Sequence, residues 1–420
     1  MTARRVGVVA DDLTGAADTT LAFWQHGFAT FILLDETDGT FLDGDAVITI
    51  DTDSRHTSPQ ESGARVTDAV RRLQAMGIDC FYKKIDSTLR GNPGAEIEAM
   101  MHAANTTHAV ICPAFPQMGR TVVAGRVMVS GQDLMLTSAA SDPRSPVTTS
   151  RIAEILARQT TLPIEELALS DLARMDEDRH DRRITVIDAQ TDEDLLAWVH
   201  HFGTGPDVLW VGSAGLAETI ASEAGTPRMR DESRARVEQR KEKAILVVVG
   251  SMHTASREQV ALLCASPQVI AYPVEPAALI AETLDVGLLA FGIGQMLERG
   301  KNCVLYTQDT PESAERLRAI LETFQRDYEW GGGKIAKRLS EIVHTILASV
   351  TRPVDLVLTG GDTAKPTLAS LGIDVLRVVQ MVAPGTPISE TLDEQRRVVT
   401  KAGGFGNPDI LIQSIKALTS

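Results

Sequence analysis

Asp11 and Asp12 close the apolar run Val6–Ala10, and a hydroxyl and a glycine, Thr14 and Gly15, follow at once. A buried strand has no use for two carboxylates at its end, but the ligand-binding rim of an α/β sheet does. Three more clusters read the same way. ITIDTDSRHTS ends an apolar run on Asp51, Asp53, Ser54 and Arg55. FYKKIDSTLRGNPG carries Lys83, Lys84, Asp86, Ser87, Thr88 and Arg90 ahead of glycines that open a helix. VICPAFPQMGR holds Gln117 and Arg120. Carboxylates accept from sugar hydroxyls, and cations pair with a carboxylate or phosphate, so one cleft built from all four suits a polyhydroxylated acid. Singly, each has a plainer reading: Asp11 as a helix cap, the lysine pair as a solvated face. The run Lys-Lys-x-Asp-Ser-Thr-x-Arg is harder to dismiss, because it packs cations, a carboxylate and hydroxyls into eight residues.

The second half offers glycine instead. VVVGSMH puts Gly250, Ser251 and His253 at a strand-to-helix turn, and LVLTGGDTAKP puts Thr359, Gly360, Gly361, Asp362 and Thr363 at another. VVTKAGGFGNP puts Lys401, Gly403, Gly404, Phe405, Gly406 and Asn407 at a third. Such turns let backbone N–H groups approach phosphates at helix N-termini. One Gly-Gly pair is ordinarily just a turn; three such turns together point to a nucleotide or phosphate ligand. Neither a Walker A loop nor a Rossmann fingerprint stands in its proper context. WGGGK, Trp330–Lys334, has no strand before it and is expected to be a helix-start loop. No histidine pair has HExxH spacing; His56, next to Arg55, lies in a candidate site loop.

Something must hold these clusters in place. Apolar runs at Arg5–Ala10, Thr30–Leu34, Ala46–Ile50, Cys80–Ile85, Ala109–Pro113, Ile184–Asp188 and Val208–Val211 are expected strands. Helical patterns lie between them; Val66, Ala69, Val70, Leu73 and Met76 share one face. After a charged stretch the rhythm resumes with AILVVV, Gln268–Pro273, Asn302–Thr307, Asp355–Thr359 and Arg397–Lys401. The alternation predicts an α/β protein of two α/β domains, each with a largely parallel sheet flanked by helices. GRTVVAGRVMVSG, Gly119–Gly131, reads as a β-hairpin arm in the first domain. The expected boundaries are 1–228, a linker at 229–243, and 244–420, with the polar stretch 222–243 a candidate hinge.

Composition narrows the function. With 41 Lys and Arg against 56 Asp and Glu, the net charge is −15, which argues against a nucleic-acid partner. No apolar run reaches membrane-spanning length, and acids interrupt the N-terminal run too early for a signal peptide. Cys80, Cys112, Cys264 and Cys303 are scattered without a CxxC pair, so neither disulfides nor a zinc site is expected. A cytoplasmic protein without a membrane partner is the expectation.

ADDLTGA, DTDSR, KKIDSTLRGNPG, PAFPQMGR, TGGDTA and KAGGFG, in this order, resemble the four-carbon acid sugar kinases over nearly the whole chain. The resemblance implies an N-terminal domain for the acid sugar and a C-terminal domain for ATP. It implies substrate contacts at Asp12, Arg55, Lys83, Lys84, Ile85 and Asp86, with Asp86, Lys84 and Asp12 as catalytic candidates. It implies ATP contacts at Ser251, at Gly360, Gly361, Asp362 and Thr363, and at Gly403, Gly404, Phe405 and Gly406. The region 135–182 matches no motif and receives no role. On this reading Arg55 or a lysine pairs with the substrate carboxylate, Asp86 or Asp12 handles the hydroxyl proton, and the other lysine neutralises the phosphoryl oxygens. Mg²⁺ accompanies ATP, with ligands unknown. The expected reaction is phosphorylation of the terminal hydroxyl of D-threonate, with D-erythronate or 3-oxo-tetronate as the alternatives. A homodimer through the 119–131 arm is expected, since an exposed apolar arm needs a partner. Two rivals of other classes are an α/β dehydrogenase, which lacks its fingerprint here, and a non-catalytic sugar-acid binding protein, which needs no nucleotide.

Overall fold

A computed structural model describes residues 5–35, 37, 39–42, 44–137, 146–174, 181–224, 243–251 and 253–419. The chain divides into two compact units, 1–229 and 230–420. Residues 225–242, which carry most of the expected linker and hinge, lie outside the described residues.

The first unit begins β1 (Arg5–Ala10), α1 (Leu13–Gln25), β2 (Ala29–Leu33), β3 (Ala46–Asp51), α2 (Pro59–Ala75), β4 (Cys80–Lys84), α3 (Pro93–Ala103) and β5 (His108–Cys112). It continues with β6 (Arg120–Val123), β7 (Arg126–Val129), β8 (Gln132–Asp133), α4 (Ile152–Ala157), β9 (Ile164–Leu167), β10 (Arg183–Ile187), α5 (Asp192–Phe202), β11 (Val208–Gly212) and α6 (Ala214–Ala224). Its main sheet runs β2-β3-β1-β4-β11-β5-β10-β9, every pair parallel. Helices cover both faces, which is why β1, β3 and β4 read as near-continuous apolar runs. Helices α1, α5 and α6 pack together on one side, and α2, α3 and α4 on the other. Local chemistry sets the helix starts. Ser58 accepts from the Glu61 amide ahead of α2, with Pro59 as first residue, and Thr191 and Asp194 form a capping box on α5.

Connections from neighbouring strands β1 and β4 leave in opposite directions, toward β2 and toward β5. Such a switch point opens a crevice at the carboxyl ends of the strands. Asp11 and Asp12 follow β1 there, and Lys84, Ile85 and Asp86 follow in and after β4.

Strands β6, β7 and β8 form the expected antiparallel arm, part of whose apolar surface is buried. Val122 and Val127 are buried, and Val122 bridges to Ala189 within the same unit. Val123 of the same arm is exposed, and Met128 and Val129 are half-buried.

The second unit contains β12 (Ala244–Val249), α7 (Thr254–Cys264), β13 (Val269–Val274), α8 (Pro276–Ile280), α9 (Val286–Glu298), β14 (Asn302–Thr307), α10 (Pro311–Phe324) and α11 (Tyr328–Ala348). It ends with β15 (Val354–Thr359), α12 (Gly361–Ser370), β16 (Val375–Ala383), β17 (Thr386–Thr391), β18 (Arg397–Lys401) and α13 (Ile410–Thr419). Its strands run β13-β14-β12-β15-β18-β17-β16, parallel from β13 to β18 and antiparallel beyond. A second switch point lies between β12, which leads by α7 to β13, and β15, which leads by α12 to β16. Two details differ from the sequence reading. WGGGK lies inside α11, capped by Asp327, rather than in a loop before it. The hairpin β16–β17 carried no expected strand.

Candidate active site

At the first switch point Arg55 is the hub. Its Nε and Nη2 donate to both oxygens of Asp11 at 2.7 and 2.9 Å, and its Nη1 and Nη2 donate to both oxygens of Asp12 at 2.9 and 2.7 Å. Asp12, not Asp11, is the helix cap: its Oδ1 also accepts from the Gly15 amide at 2.9 Å. Burial opposes ionisation of Asp11, yet the Arg55 charge and hydrogen bonds hold its carboxyl below the usual range.

Asp86 organises the loop after β4. Arg90 Nε and Nη2 donate to it at 2.9 and 2.8 Å, the Thr88 amide at 3.2 Å, and the Thr88 hydroxyl as well. Burial alone would raise its pKa; the Arg90 hydrogen bonds, the Arg55 and Arg90 charges and the Thr88 hydroxyl overturn that and hold the carboxyl far below the usual range. The loop passes through Leu89 at φ 63°, a left-handed conformation fastened by the Leu89 amide on the Asp86 carbonyl at 3.0 Å.

The two lysines of β4 point to opposite faces, as strand alternation requires. Lys83 is fully buried with its Nζ 2.7 Å from Glu96 of α3, and Ser54 donates to the same carboxylate at 2.5 Å. It is thereby walled off from the crevice, and the expected substrate contact at Lys83 finds no support in its position. We expect Lys83→Met to lower the unfolding free energy by about 3–5 kcal/mol, because Glu96 loses its counter-charge, while Lys83→Met with Glu96→Leu recovers most of it. Urea titration of both variants checks this. Lys84 turns instead toward α1, with Nζ donating to the Ile85 carbonyl at 2.9 Å. The Ile85 side chain is buried, and its amide donates to Gly212, so it presents backbone to the site.

Beside Arg55 lies a cavity of about 260 Å³ whose wall includes Arg55, Arg90, Asn92, Thr148, Arg158 and Gln159. Gln159 anchors it, accepting from the Gly94 amide at 2.8 Å and donating to the Gly91 carbonyl at 3.2 Å. The fourth sequence cluster is not brought here: Gln117 donates to Asp192 and lines another cavity with His26.

In the second unit the three glycine turns converge. A Cβ on Gly403 would overlap the Ser251 hydroxyl, and a Cβ on Gly250 would overlap that of Thr363, so glycine permits both approaches. The Gly360 amide donates to the Lys401 carbonyl at 2.8 Å, tying the ends of β15 and β18 together. Ser256 and Gln259 of α7 donate to the carbonyls of Gly403, Phe405 and Gly406 at 2.6 to 3.0 Å and so shape that loop. Helix α12 opens at Gly360 without a side-chain cap, beside Ser251. Asp362 and Phe405 are exposed. This is an anion-receiving arrangement.

Comparison with known proteins decides the family. A sugar-binding N-terminal domain model matches residues 6–220, and a nucleotide-binding C-terminal domain model matches residues 246–411. A D-threonate kinase of Salmonella typhimurium is 31% identical, covering 97% of each chain. The chain belongs to the four-carbon acid sugar kinase family. It is a sugar-acid kinase, as its relatives are. A D-erythronate kinase of Heliobacterium modesticaldum is 30% identical over 96% of this chain and 94% of that one, and a 3-oxo-tetronate kinase of Cupriavidus necator is 28% identical over 98% and 97%. A Haemophilus influenzae structure shares the kinase's fold at TM-score 0.75 and 20% identity, covering 98% of this chain and all of that one.

Two groups of residues in the kinase were not among the site residues read from sequence. Arg158 and Gln159 belong to a stretch without a motif, and only the fold carries them to Arg55. Lys401 stood in a glycine motif, but nothing in sequence foretold its state. It is 4% exposed, its Nζ donates to the Ala402 carbonyl at 2.7 Å, and burial lowers its pKa to about 8. Among the described residues no ion pair to Lys401 is found.

Proposed function

We propose that the kinase transfers the γ-phosphoryl group of ATP to the terminal hydroxyl of D-threonate, giving D-threonate 4-phosphate and ADP. The carrying observation is the cavity with Arg55, Arg90 and Arg158 in its wall, guanidinium donors of which Arg158 has no ion pair among the described residues, in a chain of net charge −15. Arg158 and Arg90 receive the carboxylate there, which fixes the orientation of the acid. Arg55 holds Asp11 and Asp12 as a rigid acceptor surface for the sugar hydroxyls. Asp86 is too strongly held by Arg90 to be an effective base, so we assign it to shaping the loop and aiming Arg90. That suffices for phosphoryl transfer, which depends on positioning and charge neutralisation more than on a strong base. Lys84 neutralises the transferring phosphoryl oxygens. Ser251, the turn Gly360–Thr363 and the loop Gly403–Gly406 hold the nucleotide, with Lys401 as the buried cation beneath them.

Mg²⁺ is the expected counter-ion of ATP. Among the described residues no cluster of three or more His, Cys, Asp or Glu could hold a metal ion, so the protein offers it no cage there, and the phosphates are its natural ligands. D-threonate is favoured over D-erythronate and 3-oxo-tetronate by likeness to D-threonate kinases from Salmonella typhimurium, Bordetella bronchiseptica and Cupriavidus necator, at 31, 32 and 31% identity.

Arg158→Met is expected to raise KM for the acid about 10- to 100-fold, the worth of a charged hydrogen bond, with kcat little changed. Steady-state kinetics with the acid varied at saturating ATP reads this; an unchanged KM contradicts the carboxylate assignment. Phosphorus–proton correlation NMR of the product identifies the phosphorylated carbon, and a phosphate anywhere but the terminal carbon contradicts the proposed orientation.

A further inference from the structure

In the sugar-acid site Arg55 holds Asp11 and Asp12, Arg90 holds Asp86, and Lys83 holds Glu96. Lys84 is left. It is 5% exposed, and the hydrogen bond found for its Nζ goes to a carbonyl. The ammonium lies against the first turn of α1: a Cβ on Gly15 would stand 2.6 Å from Nζ. Asp18 is three residues farther along α1, on the face that Gly15 shares. Its Oδ1 is buried and has no hydrogen-bond partner among the described residues. A buried ammonium and a buried carboxyl oxygen thus lie along one face of α1, with no ion pair within 4.0 Å between them among the described residues and with Asp12 Oδ1 2.7 Å from the same Gly15 Cβ position; each is short of partners, an arrangement that costs free energy unless it is used.

We propose that Asp18 is the positioning residue of Lys84: it balances the ammonium until an anion docks there, and then takes up a proton. The role deepens the sugar-acid kinase reading and rests on it for the identity of the anion. The charges acting on Asp18 agree. Burial raises its pKa to about 7, Lys84 and Arg55 pull it down, and Asp12 pushes it up. Other charged groups stand on the elements packed against α1. Asp11 is held by Arg55, Asp51 accepts from the Asp53 amide, Glu218 lines the cavity near His26, and Glu223 pairs with His200. An anion on Lys84 cancels the downward pull, so Asp18 binds a proton near neutral pH.

The test is a pH titration of ¹³C-labelled aspartate carboxyl carbons by NMR, with the Asp18 signal assigned through Asp18→Asn. In the free protein the midpoint is expected near 7, and Lys84→Met is expected to raise it by about one unit. Saturating D-threonate 4-phosphate is expected to raise it in the wild type and to leave it in place in Lys84→Met. An ordinary carboxylate midpoint near 4, or one that ignores Lys84→Met, overturns the proposal whatever the substrate. A midpoint that responds to Lys84→Met while no tetronic acid or its phosphate shifts it upholds the pairing and counts against a four-carbon acid as the anion instead. As a second readout, Asp18→Asn is expected to flatten the pH dependence of kcat/KM between pH 6 and 8 without raising KM for ATP; an unchanged profile overturns the proposal.

Discussion

Lys401→Met is expected to reduce kcat by about 10²–10³-fold, the usual cost of removing one preorganised charge from a phosphoryl or oxyanion site. The reason lies in its surroundings. Lys401 ends β18 between β15 and β17, buried, with carbonyl partners at the base of the glycine loop. On the proposed reading, a lysine kept there with no ion pair among the described residues would be compensated when phosphate arrives. Its charge also sets a pH limit. Because burial lowers the pKa to about 8, the free enzyme loses this cation as pH rises through 8. KM for ATP should therefore climb above pH 8, and more shallowly in Lys401→Arg, since a guanidinium stays charged. Activity retained within threefold in Lys401→Met would remove Lys401 from the nucleotide site.

Arg55→Met should have a large effect on folding. Arg55 makes hydrogen bonds to all four carboxylate oxygens of Asp11 and Asp12 and has a side chain only 10% exposed. Removing it leaves neighbouring acids without their cation, a loss of about 3–5 kcal/mol. Arg55→Lys should recover little, because a point charge cannot reproduce two forked contacts. The pH dependence follows from the sign of the shifts. The Asp11 and Asp86 pKa values are depressed in the folded state, so their stabilisation is present above the ordinary carboxylate range near pH 4. It is lost as pH falls through their lower folded values. Without Arg55, burial pushes the Asp11 carboxyl up, so in Arg55→Met it takes up a proton as pH falls toward 4 and its penalty is relieved; the variant should therefore lose stability mainly at neutral pH and less in acid. Chemical denaturation at pH 7 and pH 4 checks this, and an equal loss at both would contradict it.

What the sequence disclosed was whatever lies in one contiguous strand-to-helix turn. Asp12, Arg55, Lys84 and Asp86, and likewise Ser251, Gly360 and Gly403, stand out because residue type and position coincide at strand ends. Adjacent residues with opposite fates were beyond it. Lys83 and Lys84 look alike in a string, but alternation sends one to Glu96 and the other to α1. Asp11 and Asp12 likewise differ, since only Asp12 caps the helix. Arg158 illustrates another limit: it reaches Arg55 through the packing of α4 on α3, and no local pattern records that. The arm expected at 119–131 forms antiparallel strands, yet Val122, bridging to Ala189, and Val127 are buried within the unit while Val123 stays exposed, a split that the string does not record. The missed hairpin 375–391 follows a helix without the βα rhythm that located the other strands.

The most direct measurement is ADP release from Mg·ATP, followed by a coupled assay, with D- and L-threonate, D- and L-erythronate and 3-oxo-tetronate offered in turn. The account predicts turnover, with D-threonate the preferred acid. No turnover with any of the five, from protein whose melting temperature still rises with ATP, would contradict a four-carbon acid as the substrate.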